Sequence, residues 1–208
     1  MTSPTTRHPE INLSAVILAG GNSTRFGAPK ALAIFNGKSL LEIAISLAQQ
    51  IAPKIQLSCN DVNVYSRAGL PVIRDANPGT GPLAGITAAL EIAETDWVAF
   101  IPCDMPLLSR SVYDALLANL AETPVVATSH RGKEPLVSVW PVSALSRQPF
   151  RDALAEQKFA LHQLLSALDA TFVDMTVALP DYRTQLFTNI NTPSDLAEIA
   201  ANFQQPNS

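Results

Sequence analysis

Gly20, Gly21, Arg25 and Lys30 lie in one short polar stretch, Ala15–Lys30, and residues of those types suit the holding of a polyanion. A glycine has no Cβ to keep a ligand away, so two in succession let backbone N–H groups approach a phosphate closely. Arg25 can fork onto phosphate oxygens and Lys30 adds a mobile point charge. The loop is therefore read as a cradle for a nucleoside triphosphate. Its spacing is not that of a P-loop, because Ala28 follows Gly27 and Lys30 follows Pro29, nor does it match G-x-G-x-x-G. The plainer alternative is a strand-to-helix turn carrying surface charges.

Asp104 closes a wholly apolar run, Trp97–Ile101, followed by Pro102 and Cys103. A carboxylate there needs a partner, and Mg²⁺ takes one or two carboxylates together with phosphate oxygens; the alternatives are a helix cap or a basic side chain. Asn60 and Asp75 follow two other strand-like segments, as nucleotide contacts or as turn residues bonded to their own backbone. Asn189 and Asn191 stand two apart in an extended stretch and so face one side. They suit ligand oxygens, or else turn and cap chemistry before Pro193. His130, Arg131 and Lys133 form a second positive cluster, either a dock for another anionic substrate or a solvated hairpin tip. His162, among Leu161, Leu164 and Leu165, reads as a packed or surface histidine.

The elements that must position these groups follow from pattern. Ala15–Leu18 reads as a buried strand. Ala31–Phe35 is short and apolar, and Asn36-Gly37 a turn. Ser39 and Glu42 have capping-box spacing and open a helix to about Gln50, stopped by Pro53. Lys54–Cys59 and Pro71–Arg74 read as strands, and Pro82 suits the first position of a helix with Leu83, Ile86 and Leu90 on its buried stripe. After the strand Trp97–Ile101, a helix is expected from about Ser111 with Asp114 completing its cap. Val125–Ser129 and Leu136–Trp140 read as strands around a polar turn, residues 142–168 as one or two helices, Thr171–Val177 as a strand and Phe187–Asn191 as extended. Thr192 and Pro193 serve as N-cap and first residue of a terminal helix.

Strands alternating with helices point to a single-domain α/β fold, Rossmann-like, with a mostly parallel sheet covered on both faces. In such a sheet ligands gather beyond the carboxyl ends of the strands, where Gly20, Asn60, Asp75 and Asp104 fall together. The expected divisions are a loose leader at 1–12, one domain over 13–203 and a loose tail at 204–208.

The chain of 208 residues is 47% hydrophobic and 15% charged, with a formal net charge of −4, which is globular and argues against sequence-independent binding of nucleic acid. Cys59 and Cys103 are far apart and form no C-x-x-C pair, which fits free thiols in a reducing cytosol. With no apolar run long enough to span a bilayer and no signal-like leader, no membrane partner is expected and the protein reads as cytoplasmic.

Four segments in order resemble one family. Leu18-Ala-Gly-Gly-Asn-Ser-Thr-Arg-Phe-Gly-Ala-Pro-Lys30 is similar to the signature loop of nucleotidyltransferases with a glycosyltransferase-A-like fold. Gly81-Pro-Leu-Ala-Gly85, Pro102-Cys-Asp-Met-Pro106 and Asn189-Ile-Asn-Thr-Pro193 resemble those of the molybdenum cofactor guanylyltransferases, the MobA proteins. The resemblance implies transfer of GMP from GTP to the terminal phosphate of Mo-molybdopterin, with release of pyrophosphate and with Mg²⁺. It implies nucleotide contacts at Leu18, Ala19, Gly20, Lys30, Asn60 and Asp75, with Asp104 the metal ligand; the reading of the residues adds Gly21, Arg25, Gly81 and Asp104 as nucleotide contacts and makes Arg25, Lys30 and Asp104 the catalytic groups. Arg131, Lys133, Asn189 and Asn191 are the candidates for the acceptor. Guanine-using members pair LAGG with PLAG, as this chain does; cytidylyl-using relatives tend to LAAG. Two positions depart from the pattern: Pro29 stands where an aspartate often precedes the lysine, and Glu134 where Gln, Arg or His often precedes the proline. Transient contacts with cofactor-assembly proteins or molybdoenzyme chaperones are implied as well. Cytidylyl transfer, sugar-phosphate nucleotidyl transfer and nucleotide binding without turnover are the rival functions.

Overall fold

The computed structural model describes residues 11–20, 26, 29–59, 61, 65, 68–74, 81–156 and 161–203. Its strands are β1 (Leu13–Leu18), β2 (Ile34–Phe35), β3 (Lys38–Ser39), β4 (Lys54–Ser58), β5 (Val72–Ile73), β6 (Trp97–Pro102), β7 (Val125–Ser129), β8 (Gly132–Pro141) and β9 (Thr171–Asp174). Its helices are α1 (Leu40–Ile51), α2 (Pro82–Glu91), α3 (Arg110–Leu117), α4 (Gln148–Glu156), α5 (Leu161–Ala167), α6 (Met175–Ala178) and α7 (Pro193–Phe203). Seven strands form one sheet in the order β5-β4-β1-β6-β8-β7-β9, while β2 and β3 make a separate hairpin.

β5, β4, β1 and β6 pair in parallel. β8 alone runs the other way, antiparallel to both β6 and β7, and β9 returns parallel to β7. The expected mostly parallel sheet is what forms, and β1, β4, β5, β6, β7 and β9 all end at one rim.

Both faces of the central strands are apolar because both are covered. Ala15, Ile17, Leu57, Ala99 and Ile101 pack with Leu40, Ala44 and Leu47 of α1 and with Val112, Tyr113 and Leu116 of α3. Val16, Val98, Phe100 and Trp140 face the other way, against Ile86 and Leu90 of α2, Phe150 of α4 and Leu164 of α5. Trp140 meets Phe100 and Phe150 edge-on at 6.4 and 6.0 Å, and its indole N–H donates to Ser138 Oγ at 3.0 Å. Burial of each such large apolar side chain contributes about 1.5–3 kcal/mol.

Local signals set the boundaries. Ser39 caps α1, accepting from Glu42 N–H while Glu42 accepts from the Ser39 backbone, a complete capping box. Asn36 and Gly37 both take positive φ in the tight turn between β2 and β3. Three expectations are corrected. The α3 helix begins at Arg110 after Ser109, and Asp114 does not cap it: its carboxylate pairs with Arg110 one turn earlier at 3.3 Å. β8 begins at Gly132 rather than Leu136, so the turn is only His130-Arg131 and the charged Lys133-Glu134 pair lies in the strand. β9 stops at Asp174, whose side chain accepts from Thr176 N–H and starts α6, so Val177 is helical.

The Asn12 carbonyl, within the expected leader, accepts from the N–H groups of Asp96 and Trp97. Residues 1–10 of that leader, the tail 204–208, and Gly21, Arg25, Asn60 and Asp75 lie outside the described residues. Cys59 and Cys103 are both buried and form no disulfide. Among the described residues no helix is long and apolar enough to cross a membrane.

Candidate functional site

β1 and β6 are neighbours, so the segments leaving them start side by side. Leu18 pairs with Pro102, and beyond that rung Cys103 N–H donates to the Leu18 carbonyl at 3.1 Å. On the other flank Ala19 N–H donates to the Ser58 carbonyl of β4 at 3.0 Å. Gly20 follows, exposed, and among the described residues no atom lies within 4 Å of the place a Cβ would take. The backbone that leads into the glycine loop is thus pinned from both sides.

Lys30 enters from a separate segment. A single 3-10 turn, Lys30–Leu32, is closed by Leu32 N–H on the Pro29 carbonyl and Ala33 N–H on the Lys30 carbonyl, both at 2.9 Å. From that base the Lys30 ammonium lies 2.7 Å from Asp104 Oδ2. Lys30 also donates to Asn191 Oδ1 at 3.3 Å.

The Asn189–Thr192 segment crosses the rim above Asp104. Ile190 N–H donates to the Asp104 carbonyl at 2.9 Å. With its nitrogen toward the carboxylate, the orientation that avoids setting acceptor against acceptor, the Asn189 amide donates to Oδ2 and Oδ1 at 2.6 and 3.0 Å. Asp195 holds the segment in turn: its Oδ2 accepts from the N–H groups of Asn191 and Thr192, at 2.7 and 2.9 Å. Those bonds, that from Asn191 first, keep its carboxyl below the usual carboxylate range. Asn189 and Asn191 were legible as a pair facing one side. The part of Asp195 was not, because Thr192-x-x-Asp195 reads only as a cap and its reach to Asn191 lies outside that motif.

The floor is apolar. Burial pushes the Cys103 thiol up to about 12, the charge of Asp104 adding to it and Lys30 opposing it. Tyr65 is pushed up to about 12 by burial, then by Cys103, Cys59 and Asp61. A thiol so protonated is no nucleophile at neutral pH.

The second positive cluster divides. Arg131 reaches toward the Phe187 carbonyl at 3.5 Å, on the Asn189 side. Lys133 lies 4.2 Å over the Phe172 ring instead. His130 Nδ1 shares a 2.8 Å hydrogen bond with Tyr182 Oη, and Tyr182 stacks on Phe187. Glu134 is half-buried and accepts from Ser129 Oγ at 2.7 Å. Burial raises its carboxyl above the ordinary value, against the opposing effects of Ser129, Arg131 and His130. Gly81 caps α2 at φ +78° just before Pro82, a conformation suited to glycine. His162 is exposed.

Residues 15–173 match the family model described as MobA-like NTP transferase domain. The chain is 33% identical over 192 residues to a protein of Halalkalibacterium halodurans described as a probable molybdenum cofactor guanylyltransferase, covering 88% of this chain and 95% of that protein. A Deinococcus radiodurans protein of the same description is 34% identical, with 93% and 96% covered. Among solved structures, molybdopterin-guanine dinucleotide biosynthesis protein A from Archaeoglobus fulgidus superposes with a TM-score of 0.76 at 23% identity, over 91% of this chain and 98% of that one.

Proposed function

The chain belongs to the MobA-like NTP transferase family, and from that premise we propose that it transfers GMP from GTP to the terminal phosphate of Mo-molybdopterin. The observation that carries this reading is the convergence of Lys30, Asp104, Asn189 and Asn191 at the rim where β1 and β6 end. One anionic oxygen donor, one ammonium and two amides from distant parts of the chain suit a bound, charged ligand.

The acceptor phosphate is already a nucleophile, so no side chain need be activated. One of its oxygens bonds to the α-phosphorus of GTP while the bond from that phosphorus to the bridging oxygen breaks, and pyrophosphate leaves with the electron pair. Such a transfer needs positioning and charge neutralisation more than covalent help. In this reading the Gly20-Gly21 backbone, Arg25 and Lys30 hold the triphosphate, with Asn60, Asp75 and Gly81 around the nucleoside. Asn189, Asn191 and Arg131 face the acceptor, with Lys133 at its edge.

Asp104 is a partly exposed carboxylate on a strand tip, a hard oxygen donor of the kind Mg²⁺ prefers when phosphates complete its shell. When bound there, Mg²⁺ would supply positive charge to the phosphate oxygens and the departing pyrophosphate. Two buried thiols that form no disulfide support a cytoplasmic location.

A panel of GTP, CTP, ATP and UTP with Mo-molybdopterin, reading dinucleotide and pyrophosphate, tests the proposal. GTP is expected to be preferred. Preference for CTP, turnover with hexose 1-phosphates, or GTP binding with no pyrophosphate released would each favour a rival.

A further inference from the structure

The carboxylate of Asp104 is already held by partners within the protein. Lys30 takes Oδ2 at 2.7 Å and the Asn189 amide bridges both oxygens. A divalent cation binding that carboxylate beside the ammonium would meet a second positive charge at close range, which weakens its hold. Accepting the reading of this site as one for a nucleotide and a divalent metal, we propose that Lys30 is a stand-in cation: it closes Asp104 to metal until a polyanionic nucleotide draws the ammonium away.

The exchange keeps every charge compensated. Asp104 passes from the ammonium to the metal, and Lys30 passes from the carboxylate to phosphate oxygens, so neither ion is left unpaired at a partly buried position, where that would be costly. Lysine suits the role, being a compact charge on a flexible stem that can turn between acceptors. Its backbone need not move, since the 3-10 turn is closed by its own two hydrogen bonds. By linkage, whatever factor the nucleotide adds to metal affinity the metal returns to nucleotide affinity.

The test reads metal binding without turnover. Mn²⁺, with the same preference for oxygen ligands, is titrated by its electron paramagnetic resonance signal into the full chain with no nucleotide present. Wild type is expected to bind weakly. Lys30→Gln and Lys30→Met, each checked for folding by circular dichroism, should bind at least about tenfold more tightly, a gain below the Coulomb cost of two like charges side by side at a protein surface. Adding Asp104→Asn to either variant should abolish the gain. Mn²⁺ binding no tighter than wild type in both lysine variants, or a gain that survives loss of Asp104, overturns the proposal. A GTP analogue with an uncleavable α–β bridge is then added. It should tighten Mn²⁺ binding in wild type by more than in Lys30→Gln, and an equal effect in the two also overturns it. Failure of the analogue to bind any of the proteins would instead sink the guanylyl-transfer reading, while the nucleotide-free gain would still uphold the closing of Asp104 by Lys30.

Discussion

Cys103 donates its backbone N–H to the carbonyl of Leu18 at 3.1 Å, one step past the last paired rung of β1 and β6. That bond sets the start of the glycine loop and the carboxylate of Asp104 at one level on adjacent strands. A change at either tip is therefore expected to affect chemistry more than folding.

Asp104→Ala should lower GMP transfer by about 10²–10³-fold or more, the scale seen when preorganised charge stabilisation is removed. The substitution also leaves the Lys30 ammonium and the Asn189 amide without their carboxylate at a partly buried position, so a destabilisation of about 1–3 kcal/mol is expected. Pyrophosphate release beside a thermal melt checks both, and wild-type turnover in this variant would remove Asp104 from the mechanism.

Asn189→Ala leaves Asp104 with one fewer orienting donor. Outer partners of a metal-binding carboxylate are typically worth about 10–100-fold in metal affinity or activity, and a loss of that size is expected here. Asn191→Ala, which gives up only an acceptor 3.3 Å from Lys30, should cost less. The ranking is read from kcat and KM measured at saturating and limiting Mg²⁺.

Glu134 predicts a pH effect of definite sign. Burial raises its carboxyl in the fold above the value it has in the unfolded chain. Between those two values the native state holds more protons, so the contribution to stability is full below the unfolded value and is lost as pH rises through the folded one. Glu134→Gln keeps an acceptor for Ser129 and removes the charge. It should melt higher than wild type at neutral pH, with the advantage shrinking as the solution is acidified through the carboxylate range.

Gly81→Ala should destabilise the fold by roughly 1–3 kcal/mol, the cost of a side chain at a backbone conformation reserved for glycine. Among the described residues an added Cβ would meet nothing within 4 Å, so the penalty is expected from φ +78°. Urea unfolding measures it, and no change in midpoint would show that the N-terminus of α2 relaxes freely.

Signals that act within a few residues were readable before any fold was known. Ser39 with Glu42, Asn36-Gly37, Pro82 and Thr192-Pro193 each specify a local geometry, and each is found. The errors came where two local partners competed. Asp114 has the spacing of a cap behind Ser111, yet pairs with Arg110, and Asp174 ends a strand that its sequence could have continued. Lys133 and Glu134 look like turn residues because they are charged, but they begin a strand as it leaves the rim, where Lys133 can lie on Phe172. In the site, the glycine loop, Lys30, Asp104 and the two asparagines were legible as types. Their meeting was not, since the bonds joining Lys30 to Asp104 and Asn191 span sequence separations of 74 and 161 residues.

That last separation bears on the protein while it is being made. β1, β4, β5 and β6 can come together as soon as they clear the ribosome, but the strap carrying Asn189 and Ile190 arrives much later. A nascent chain holding Asp104 still lacks the amides that orient the carboxylate, so it should engage nucleotide and metal more weakly during translation than the finished protein does.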